Sequence, residues 1–117
     1  MPVKPTITFE DFEKVDIRVG KIIEVADFER AKFPTYKLTI DFGDEIGIKK
    51  SSARFKSNYT PEQLLGIQCL AVVNFEPRNI AGFLSEVLVV GVDADSEQGG
   101  ISIVSPVDLA KLGAKLY

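Results

Sequence analysis

Asn74, Glu76, Arg78, Asn79, Ser85 and Glu86 crowd one short stretch of the chain. It lies at and between two apolar, β-branched runs, Cys69–Phe75 and Val87–Val92. Runs of that length read as buried strands. A bare hairpin needs only two to five connecting residues, whereas 11 residues, 76–86, separate these runs. A polar loop held by rigid strands is where binding groups collect. Arg78 can grip a carboxylate or phosphate through two parallel hydrogen bonds, or pair internally with Glu76 or Glu86. Ser85 and Glu86 either meet a ligand or orient Arg78 and Asn74.

Most catalytic chemistry lacks its parts. Histidine is absent, which removes the commonest general base and metal ligand. Cys69 is the single cysteine and lies in an apolar run, so it reads as a small buried hydrophobe. It cannot form an intrachain disulfide, which suits a reducing compartment. Asp93, Asp95 and Glu97 alternate but lack calcium-loop spacing and read as a solvated turn. No glycine-rich phosphate loop is present. The expectation is a binding protein, not an enzyme, with no metal and no cofactor.

Charge is localised. The net charge is −3, unlike a general nucleic-acid binder. Between Ile46 and Ile80, five basic residues face two acidic ones, a net +3 that leaves −6 elsewhere. Lys49, Lys50, Ser51 and Ser52 can hold phosphate oxygens, or the lysines can protect a strand edge. Arg18 is either a ligand contact or half of an ion pair. Phe55, Tyr59 and Phe83 fall in loops and are expected at the surface, where rings stack on bases or on unfolded polypeptide. Tyr36 and Phe75 read as core by alternation.

These groups need a scaffold. The 117 residues suit one domain, read as a loose tail over 1–7 and a single domain over 8–117. Thr8 and Asp11 start a short helix from Phe9 to Lys14. A long strand, Asp16 to Phe28, should bulge or coil at Gly20, with Ile17, Val19, Ile23 and Val25 on one face. Tyr36, Leu38, Ile40 and Phe42 alternate with polar residues in a second strand, and Ile46–Lys50 forms a third. Thr60-Pro61-Glu62 opens a helix ending near Leu65. Ile67–Phe75 and Val87–Val92 are strands four and five. Ile101–Val104 adds a short strand, and Ser105 caps a last helix from Val107 to Leu112. A helix between the third and fourth strands of a five-stranded barrel is the OB-fold arrangement. No apolar run approaches the ~18 residues of a membrane span, and the first residues lack a signal-peptide core. The chain is expected in the cytoplasm, without membrane insertion.

The run N-F-x-P-R-x-I-x-G-x-x-S-E from Asn74 to Glu86 resembles the signature of the tRNA-binding OB-fold family. D-I-R-V-G-K-I (16–22), K-L-T-I-D-F-G (37–43) and I-G-I-K-K-S-S-A (46–53) resemble its CsaA-like, secretion-associated chaperone branch. The resemblance spans roughly residues 8–117. It implies an all-β OB barrel with short helices and N- and C-terminal extensions that build a homodimer. The candidates for that face are Phe9, Phe12, Leu109, Leu112 and Leu116, which can alternatively cover their own barrel. It implies binding of unfolded or secretory precursor polypeptides and contact with the export machinery, without nucleotide hydrolysis. The alternative is tRNA recognised by shape and backbone. Lys-Ser-Ser replaces the Ser-Gly-Leu-type segment of the tRNA-binding members.

Overall fold

The computed structural model describes all residues, 1–117. Helix α1 (Phe9–Glu13) starts at Thr8, whose hydroxyl accepts from Asp11 N–H while the Asp11 carboxylate accepts from Thr8 N–H. Strand β1 (Ile17–Asp27) is followed by β2 (Tyr36–Asp41) and β3 (Ile48–Ala53). Helix α2 (Pro61–Leu64) precedes β4 (Gln68–Val72). A hairpin, β5 (Arg78–Ile80) and β6 (Phe83–Ser85), leads to β7 (Leu88–Val89), β8 (Gly91–Asp93) and β9 (Ile101–Ile103).

The main sheet is antiparallel in the order β3-β2-β1-β4-β7. Its ends meet: Glu86 and Val87 N–H groups donate to the Lys50 carbonyl at 2.8 and 3.3 Å. The result is a nearly closed five-stranded barrel, in which β7 is the fifth strand. Strand β1 pairs with β4 through its first half and with β2 through its second. It coils at a register shift between Ile22 and Glu24, not at Gly20. The extra residue flips the side-chain parity. Ile22 is therefore fully buried before the shift, and Val25 packs on the core after it. Gly20 pairs regularly with Cys69. It has no side chain because Ile40 and Phe42 fill that space.

The barrel interior holds Leu38, Ile40, Phe42, Phe55, Leu64 and Cys69, all essentially inaccessible. Burial pushes the Cys69 thiol up to about 12, so it stays neutral and unreactive. Burial also raises the Tyr36 phenol, whose hydroxyl donates to the Tyr59 carbonyl at 2.8 Å.

Four expectations change. The third strand runs to Ala53 because a wide turn precedes it, with Gly47 N–H donating to the Gly43 carbonyl at 2.7 Å. The polar insert is itself a hairpin. Its two-residue turn, Ala81 and Gly82, has φ of 48° and 87°, as a primed turn requires. The fifth strand breaks after Val89, since Gly91 is pressed against Ile101 and turns away to pair with β9. The last helix does not form. The chain instead makes a turn in which Ala114 N–H donates to the Lys111 carbonyl at 3.0 Å, and residues 113–116 then pair with β1: Val19 donates to Ala114, Gly113 to Val19 and Leu116 to Ile17, at 2.8–2.9 Å. The Gln68 side chain both donates to the Ala110 carbonyl and accepts from its N–H. A helix of six residues carries an unfavourable nucleation cost; Gln68 instead holds Ala110 in the middle of the segment, and the β1 edge fixes the residues just after it.

Candidate ligand-binding groove

The polar motif divides into residues that build the fold and two charged ones that face outward, Glu76 and Arg78. Ser85 and Glu86 hold the barrel seam. Ser85 Oγ accepts from Ser52 N–H at 3.0 Å, and Glu86 Oε1 accepts from Lys50 N–H at 3.0 Å. They orient the edge of β3, not Arg78 or Asn74. Asn74 is a clasp: its Oδ1 accepts from Asp16 N–H at 3.0 Å and its Nδ2 donates to the Lys14 carbonyl at 2.7 Å. It ties the end of α1 to the end of β4. Asn74→Ala should cost about 1–2 kcal/mol, one or two net hydrogen bonds. A denaturant titration checks this; unchanged stability would show that the clasp is idle.

Other candidates are engaged internally. Arg18 Nε donates to Asp16 Oδ1 at 2.6 Å, Nη2 to Asp16 Oδ2 at 3.3 Å and Nη1 to the Gly113 carbonyl at 3.1 Å. The hydrogen bond to Asp16 raises its pKa further. The ion-pair alternative thus describes Arg18. Ser51 is completely buried opposite Leu38, because inward parity continues into the longer strand, so it is not a surface contact. Lys49 lies 4.0 Å from Glu86 Oε2. Lys50 is exposed, with Nζ 3.5 Å from Thr39 Oγ1.

The aromatics also sort differently from expectation. Phe55 is 2% exposed and meets Tyr59 edge to face at 5.9 Å; the loop after β3 folds inward over the barrel. Tyr59 is half-buried, and its hydroxyl accepts from Ile103 N–H at 3.1 Å. Phe83 is half-buried against Phe28 at 5.4 Å. Phe75, expected in the core, is 56% exposed, because β4 ends at Val72. Phe33, beside Pro34, is also half exposed. The sequence signal for it was the Lys32-Phe33-Pro34 loop, where proline excludes a strand interior.

Arg78 is exposed and makes no ion pair with Glu76, Glu86 or any other carboxylate. It stands where two grooves meet. One, of about 480 Å³, lies between the Lys32-Phe33 loop, Arg54, Ile80 and Leu88. The other, of about 320 Å³, runs past Leu88 to Phe75, Glu76 and Glu86. Arg78, Ile80, Leu88 and Ser52 line both, making one trough over the β3–β7 seam. The Arg54 guanidinium stacks on Phe33, 4.1 Å from its ring centroid. Asp93, Asp95 and Glu97 do not gather: no group of three or more Cys, Asp or Glu side chains is placed to hold a metal ion. No helix is long and apolar enough to cross a membrane.

A five-stranded barrel with a helix before its fourth strand, and a trough along its rim, defines an OB-fold binding domain. Residues 17–115 match the family described as "Putative tRNA binding domain", and the chain belongs to that family. Within it the chain is CsaA-like. It is 40% identical to the chaperone CsaA from Bacillus anthracis str. Ames, with a TM-score of 0.87 over 97% of this chain and 100% of that one. It is 48% identical to the CsaA chaperone protein from Picrophilus torridus, with a TM-score of 0.86 over 96% and 100%. It is also 38% identical over 110 residues to methionine–tRNA ligase from Pyrococcus abyssi, covering 94% of this chain and 14% of the ligase. The chain thus spans a small fraction of the ligases it matches.

Proposed function

We propose that this chain is a chaperone that binds extended segments of unfolded polypeptide, secretory precursors among them, in the trough over the β3–β7 seam. It acts as a holdase, without nucleotide hydrolysis. The observation that carries this reading is a row of half-exposed apolar side chains, Phe33, Leu88 and Phe75, along one continuous groove. A folded domain leaves such a row open where it receives an apolar partner. Two neighbours of closely similar fold are chaperones by name. The same reading makes the chain a homodimer, supported by the exposure of Phe9 (72%) and Leu109 (92%). Phe12, Leu112 and Leu116 are half-buried and can complete that face.

A second reading, tRNA binding, is favoured by a different observation. Lys32, Arg54 and Arg78 line the Phe33 end of the trough without a carboxylate among them. One measurement separates the two: fluorescence anisotropy of the full chain against a labelled unfolded-precursor peptide and labelled bulk tRNA, along a salt series. Peptide binding that survives physiological salt, with tRNA lost, is expected. tRNA affinity that falls steeply and linearly with log salt, with the peptide unbound, would replace the chaperone reading.

A further inference from the structure

Resting on the polypeptide reading, we propose that the trough sorts its ligands by charge. Its Phe33 end selects acidic, apolar-rich segments, and Lys32, Arg54 and Arg78 set that preference. This end is lined by those three cations and no carboxylate, in a chain of net charge −3. The ion pairs of the protein involve Lys14, Arg18, Lys49 and Lys56 and leave all three free. Stacking on Phe33 restrains Arg54. A guanidinium held by its face keeps its edge N–H groups for a carboxylate and loses less freedom on binding. Below the cations, Ile80 and Leu88 make an apolar floor.

The matching ligand carries apolar groups for the floor and carboxylates for the rim. Successive side chains of an extended peptide point to opposite sides, so alternating Leu or Phe with Asp or Glu satisfies both. The other end argues against a polyanion. There Glu76 lines the groove with Phe75 and has no cationic partner, and Glu86 lines it too with its carboxylate turned to Lys50 N–H and Lys49, so a nucleic-acid backbone, charged at every residue, meets an unpaired carboxylate at that end of the trough. A polypeptide can change sign along its length.

The test is anisotropy of the full chain, at physiological salt, with three labelled peptides of equal length. Phe and Leu alternate with Glu in the first, Ser in the second and Lys in the third. The Glu peptide should bind about tenfold tighter than the Ser peptide, the scale of a charge-assisted hydrogen bond, and the Lys peptide weakest. Arg54→Gln with Arg78→Gln should abolish the difference between the Glu and Ser peptides, so that the variant binds both equally; Lys32→Gln alone should give part of that loss. Equal binding of all three peptides to the unmodified protein overturns the charge sorting and leaves the polypeptide reading intact. No peptide binding overturns both. tRNA binding lost in the double variant, with the peptides indifferent to it, assigns the cations to RNA and likewise overturns the proposal.

Discussion

Gly20→Val should destabilise the protein by about 3 kcal/mol or more, at the upper end of overpacking costs. The melting temperature should fall by roughly 12 °C, at about 4 °C per kcal/mol for a domain of this size. A Cβ at this position would lie 2.5 Å from Ile40 Cγ2 and 2.7 Å from Phe42 Cε1. Neither neighbour can yield, since both are completely buried in an interior packed like a crystal. The backbone cannot move either, because Gly20 sits within the β1–β4 ladder. The cost is steric and not conformational. Gly20→Ala combined with Phe42→Leu should therefore lose less than the sum of the single changes, as coupled neighbours do. Strict additivity in thermal melts would show that the two positions do not share the space.

Phe55→Ala should cost about 3–5 kcal/mol, the range for a large ring removed from a core. Against a total stability of about 5–15 kcal/mol, much of the folded population is at risk. The ring is 2% exposed and packs against Tyr59 and Gly91. Removing it loosens the turn into β8 and, with it, one wall of the Phe33 end of the trough. Thermal melting and ligand binding should therefore fail together. A variant with unchanged melting temperature and weakened binding would instead make Phe55 a direct contact, as its place in a loop suggests.

Polarity alone does not mark the groove; whether a polar side chain is already engaged does. Asn74, Arg78, Ser85 and Glu86 are equally polar and lie within one stretch. Three of them are occupied by backbone groups far away in the chain: Asn74 by Lys14 and Asp16, Ser85 by Ser52, Glu86 by Lys50. Arg78 has no such partner. The useful neighbours of Arg78 were less legible still. Phe33 and Arg54 come from two different loops, and their stacking has no sequence spacing to announce it. Leu88 reads as one more apolar residue of a buried strand, yet it is 48% exposed because the barrel seam leaves its outer side open.

The sequence by itself determined the barrel. Tyr36, Leu38, Ile40 and Phe42 alternate with polar residues, and all four are buried. Thr60 and Pro61 start α2 where they stand, and the CsaA-like motifs lie in chain order. Period, capping and turn chemistry act over a few residues, so they are written locally. The tertiary structure decided where the last residues go and which side chains are free to bind. The segment Val107–Leu112 has helical spacing, but the Gln68 side chain, 42 residues away, takes both backbone groups of Ala110, and the residues that follow, 113–116, bond to the edge of β1; a short helix would hold the segment only weakly. Arg18 and Glu86 are used up, and Arg78, Arg54 and Phe33 are not, because hydrogen bonding and burial depend on what folding brings near, and that distance is not written in any local pattern.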